Sequence, residues 1–118
     1  MNESQRIRFS EALQRVAGDE EMLIMLAEIA SEDGPEMLAR LDEQVKAESC
    51  VEAAKTAHAL KGLLSGFEAG EPTSHLQRLI EACRGGRRAE AKAIWNDISP
   101  AIESLLEEIA ALGQVNAT

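Results

Sequence analysis

Between Met22 and Ile109 the apolar residues recur three or four positions apart, and they nowhere alternate with polar ones over a useful length. That spacing lines them along one face of a helix, so the chain must bury its stripes helix against helix. Met22, Leu23, Leu26, Ile29 and Ala30 form one run, and Met37, Leu38, Leu41 and Val45 continue it. Ala91, Ile94, Trp95, Ile98, Ile102, Leu105, Leu106 and Ile109 form another. Nineteen alanines and the lack of tyrosine push the same way, since alanine is the strongest helix former. The chain is read as all-α.

Glycines and prolines divide the pattern. A short first helix is expected from about Gln5 to Ala17. Asp19 then offers an N-cap, with Glu20 and Glu21 in the first turn where the helix dipole favours acids. One helix kinked at Pro35 is expected over 19–47. Ser49, with Glu52 at the capping-box position, opens a helix over 50–68. Thr73 or Ser74 caps a shorter helix that ends near Arg84, and Gly85-Gly86 makes a turn. A last helix spans about Arg88 to Leu112, with Ser99-Pro100 as a possible bend. Four substantial helices with short connections pack most simply as an antiparallel four-helix bundle, here with a short additional N-terminal helix. Residues 1–118 make a single domain with its core in about 5–112, and 113–118 reads as a disordered tail.

Several classes of function are disfavoured. The net charge is −9, from 21 acids and 12 bases, which argues against nucleic acid and against anionic membrane surfaces. No apolar run approaches the roughly 18 residues that span a bilayer, and no signal peptide is visible, so a cytoplasmic protein is expected. Two cysteines and two histidines lie too far apart in sequence for a zinc-type spacing, and no metal site is expected. Cys50 and Cys83 read as buried free thiols rather than a disulfide or redox pair. Met22, Met25 and Met37 read as core filler. Glu20-Glu21 and Glu107-Glu108 are adjacent in sequence, so neither pair shares a helix face, and an acid-based helical enzyme is a weak reading.

The informative segment is Val51 to Ala69, VEAAKTAHALKGLLSGFEA. With about 100° per residue and His58 at zero, Phe67, Leu60, Ala53 and Leu64 fall at about 180°, 200°, 220° and 240°. These four form the buried stripe, and His58 stands opposite it. Its neighbours on the outer face are Ala54, Lys55, Lys61, Gly62 and Ser65. Gly62 costs about 1 kcal/mol against alanine inside a helix, and a close approach by a partner is one reason to bear that cost. Lys55 and Lys61, three residues either side of the imidazole, favour an anion there. Imidazole is a competent nucleophile near neutral pH. The physical picture is a histidine that accepts a phosphoryl group, balanced by ammonium groups and left bare for a docking partner. The plainer reading is an exposed histidine with chance neighbours. His75, followed by Arg78 and Leu79 in the first turn of a short helix, reads as a structural or surface histidine.

The run His58-Ala59-Leu60-Lys61-Gly62, followed by Ser65, Phe67 and Ala69, resembles the signature of histidine-containing phosphotransfer (HPt) domains. The segments Gly18-Asp19-Glu20-Glu21-Met22 and Glu32-Asp33-Gly34-Pro35-Glu36-Met37-Leu38 look like the stretch ahead of that histidine. Leu79-Ile80-Glu81-Ala82 and the Gly85-Gly86 turn fit the part after it more loosely. The resemblance implies a helical bundle that carries phosphoryl groups between receiver-domain aspartates in a two-component phosphorelay. It makes His58 the phospho-acceptor, on its outward ring nitrogen. Lys61, with Lys55, supports the phosphate, and Gly62, with Ser65 and Ala54, clears a docking face. Gln77 or Glu81, from the following helix, could orient the imidazole. Implied partners are response-regulator receivers and a hybrid sensor histidine kinase, met by a monomer. The chain has no cofactor of its own, and Mg²⁺ is expected on the partner receiver. It is a phosphoryl carrier rather than a turnover enzyme; the competing reading is an interaction module of the same fold that carries no phosphate. Leu63, Leu64 and Glu68 depart from the family pattern, two where small residues are commoner and one where glycine is common.

Overall fold

The computed structural model describes residues 1–114, and among these every regular element is helical. The order is α1 (Glu3–Arg8), α2 (Ser10–Arg15), α3 (Glu20–Lys46), α4 (Cys50–Ser65), a 3₁₀ turn (Thr73–His75), α5 (Leu76–Arg84) and α6 (Arg88–Gly113). α3 packs on α4 and α6, and α5 packs on the same two, which closes a ring around one core. α3 and α6 run antiparallel. Trp95 Nε1 donates to Asp42 Oδ1 at 2.9 Å, Gly34 lies against Leu106, and Gly113 lies against Glu28. Trp95, Leu23, Leu41, Leu60, Leu79 and Leu105 are among the side chains shut inside.

Asp19 caps α3 as expected, its Oδ1 accepting from the Met22 backbone at 3.1 Å. The helix then continues through Pro35 without ending. Proline removes one backbone donor, but buried residues on both sides of it, Ala27, Ala30 and Gly34 before and Leu41 and Val45 after, pack the one helix on the core.

Other expectations are corrected. The N-terminal helix is two, broken at Phe9, whose backbone (φ −109°, ψ 30°) leaves the helical range. Phe9 is 2% exposed and meets Phe67 edge to face, with ring centroids 6.3 Å apart, so burial of the ring outweighs one turn of helix. Ser49 makes no side-chain cap. Glu48, at φ +60°, ends the preceding helix, and Glu52 faces Lys55 at 3.6 Å instead of closing a capping box. Helix α4 ends at Ser65, three residues early. Neither Thr73 nor Ser74 caps α5, because residues 73–75 form the 3₁₀ turn. Gly113, expected to open a disordered tail, is still helical and Gln114 caps α6, while 115–118 lie outside the described residues.

The largest correction concerns α3. Leu23 and Ala30 are buried, but Met22, Met25, Leu26 and Ile29 are exposed and Met37 is half-buried. The exposed group is centred about 120° round the helix from the buried one. Met22 and Met25 are therefore surface residues, not filler.

Candidate functional site

His58 lies at the middle of α4 and is exposed, while Ala53, Leu60 and Leu64 of the same helix and Phe67 just beyond it are buried. The wheel argument thus places the imidazole correctly. Among the described residues its ring makes no side-chain hydrogen bond, so it faces outward unclaimed.

His58 borders a groove of about 460 Å³ between α4 and α5. Val51, Ala54 and Lys55 line it from α4, with Cys83 and Arg84 from α5. Its lining residues include three basic side chains (Lys55, His58 and Arg84) and no acid, with Glu52 beside Lys55 just outside the lining, in a chain of net charge −9. Such a lining attracts an anion to the imidazole. Arg84 was missed by sequence reasoning. It sits 26 residues from His58, and only the antiparallel return of α5 brings the two to one groove. The Gly85-Gly86 turn directly after it, with Gly86 at φ +69°, was the available signal, since it marks where α5 stops.

The other expected residues fall as follows. Lys55 stands in the groove rim, with Glu52 Oε1 3.6 Å from its ammonium. Lys61 is half-buried and donates to Gln77 Oε1 at 2.9 Å, and Gln77 Nε2 donates to Glu81 Oε1 at 3.4 Å. Gln77 therefore holds the Lys61 ammonium and Glu81 accepts from Gln77, and neither is bonded to the imidazole. Gly62 is exposed, and a Cβ built there would meet nothing within 4 Å. Ala54 departs from the expected outer face: it is only 7% exposed, because α5 returns over it, and it floors the groove. Ser65 is half-buried and its hydroxyl donates back to the Lys61 carbonyl at 2.6 Å, so it finishes the helix.

The three departures from the HPt pattern have local explanations. Leu64 is fully buried and Leu63 packs at the edge of the core. Glu68 accepts from Arg8 Nη1 at 2.6 Å and from the Gly70 backbone at 3.0 Å. The hydrogen bond from Arg8 holds its carboxyl below the usual range, against the opposing effect of burial. The second histidine, His75, sits in the 3₁₀ turn with Glu71 Oε1 at 3.4 Å, outside the groove.

Among the described residues no group of three or more His, Cys, Asp or Glu side chains is placed to hold a metal ion, and no helix is long and apolar enough to cross a membrane. Comparison with protein-family models, with curated proteins and with solved structures finds no match.

Proposed function

We propose that this chain is a phosphocarrier: an HPt-like antiparallel four-helix bundle, α3 to α6, preceded by α1 and α2, that takes a phosphoryl group on His58 from one receiver aspartate and gives it to another. The observation that carries the reading is the groove in which an outward, unclaimed imidazole shares its lining with Lys55 and Arg84 and with no acid. The open surface over Gly62, one turn further along α4, supports close approach by a docking partner.

The chemistry follows from those groups. A ring nitrogen of His58 attacks the phosphorus of an aspartyl phosphate, the P–O bond to the carboxylate breaks, and the carboxylate leaves. The partner receiver supplies the acyl phosphate and its Mg²⁺; this chain supplies the nucleophile and the cations. Arg84 and Lys55 balance the charge on the transferred group, and Lys61, steadied by Gln77, adds to the positive field from the other side. The carrier meets its receiver as a monomer and returns to its starting state only when a second receiver takes the phosphoryl group, so it does not turn over alone.

The test uses a phosphorylated receiver domain as donor. The wild-type chain should acquire a label that is acid-labile and base-stable. His58→Gln should abolish it while helical circular dichroism stays unchanged. Full labelling of that variant, or label on His75, would sink the assignment. Receiver binding without any label would support the interaction-module reading instead.

A further inference from the structure

The mechanism leaves the two thiols unused. Both were expected as buried free thiols; both are free, but only Cys83 is buried, and the fold brings the two to one crevice. Cys50 is the first residue of α4 and is half-buried, while Cys83 lies near the end of α5 and is 3% exposed. Because α4 and α5 run antiparallel, the start of one meets the end of the other. Both cysteines line a single crevice too tight to hold a water molecule, with Gln44, Val45, Ala53 and Ala91 also on its walls.

The geometry points to Cys50 and Cys83 as a thiol pair that hydrogen peroxide converts to an intramolecular disulfide, stapling the start of α4 to the end of α5. The proposal does not rest on the phosphocarrier reading.

The roles of the two sulfurs follow from their surroundings. Burial, and then the neighbouring Cys50, push the Cys83 thiol up to about 11, so it stays protonated and is shielded from solvent. Cys50, half-buried, is the more exposed of the two. Its sulfur attacks one peroxide oxygen, the O–O bond breaks, and the other oxygen leaves as water with the thiol proton. The resulting sulfenic acid faces Cys83. The Cys83 sulfur attacks the Cys50 sulfur, the S–O bond breaks, and a second water carries off the hydroxyl and the Cys83 proton. Two thiols lose two electrons, and the hydrogen peroxide is reduced by the same two. Cys83 also walls the His58 groove, so the bridge would form in the floor of that site.

The experiment takes the fully reduced chain, treats it with a stoichiometric amount of hydrogen peroxide, and measures intact mass, thiol titre and melting temperature. The expected result is a monomer lighter by two hydrogens, with the titre falling from two thiols per chain to none. A proteolytic peptide should join the Cys50 and Cys83 segments. The melting temperature should rise and return on adding dithiothreitol, and in Cys50→Ser and Cys83→Ser it should not respond. A chain that gains oxygen on one cysteine and forms no internal bridge, or one bridged only to a second copy, overturns the proposal.

Discussion

Gly62 has an open side toward solvent in the middle of a helix, and its role is decided by what is absent around it. With nothing within 4 Å of a built Cβ, the fold itself does not require glycine there. Replacing it should gain up to about 1 kcal/mol of helix propensity. Gly62→Gln is thus expected to match or exceed the wild type in urea or thermal unfolding, yet to slow phosphoryl transfer from a receiver sharply. Normal transfer in that variant would move the docking face elsewhere. At this scale much of the site was legible in the sequence. His58 is opposite Leu60, Leu64 and Phe67 on any helical wheel, and a wheel needs only spacing. Arg84, the covered Ala54 and the Gln77 hold on Lys61 were not legible. Each depends on how α5 returns across α4, and one helix's periodicity does not fix the rotation of its neighbour.

Among the elements, α3 shows why apolar periodicity fixes a helix but not its buried face. It carries two apolar stripes, Leu23–Ala27–Ala30–Gly34 and Met22–Met25–Leu26–Ile29, and both have helical spacing. Only the first is buried along its length; the second is exposed. Side-chain volume separates the two: the buried stripe has small residues where helices close in. Gly34 is the tightest point, since a Cβ there would stand 2.5 Å from Leu106 Cδ2. Gly34→Leu should therefore push α6 from α3 and lose about 2 kcal/mol of stability despite its better helix propensity. Chemical denaturation would check this, and a neutral result would mean the two helices have room to slide. The cap at Ser49 and the break at Phe9 were misread for a related reason. Local signals proposed a longer helix and a capping box, and tertiary burial of Phe9 with the left-handed turn at Glu48 overrode them.

Across the whole molecule, the N-terminal pair of helices is tied on by Arg8. Its guanidinium reaches Glu68 beyond α4 at 2.6 Å and Glu108 on α6 at 2.9 Å, and stacks on Phe9 at 5.0 Å from the ring centroid. Arg8→Ala should cost about 1.5 kcal/mol, since two charge-assisted hydrogen bonds at a part-exposed site are lost together. It should also alter the acid limb of the stability profile. The hydrogen bond from Arg8 lowers the Glu68 pKa in the folded chain, so the unfolded chain takes up that proton first as pH falls. The stabilisation is complete above the unfolded value near 4.5 and is lost as pH drops through the lower folded value. In Arg8→Ala that part of the loss should vanish from melting temperatures measured against pH. An unchanged acid limb would show that the Arg8–Glu68 contact contributes nothing there.

Trp95 gives the molecule a built-in optical gauge. It is the only tryptophan, there is no tyrosine, and its indole is 1% exposed with its N–H bound to Asp42 across the α3–α6 contact. Tryptophan emission from this chain therefore reports one seam. Its colour shifts when α6 parts from α3, while chemistry at the His58 groove, which Trp95 does not line, proceeds in the dark. Folding and function can be followed in a single cuvette as separate signals, the first by intrinsic light and the second by a label placed on a partner.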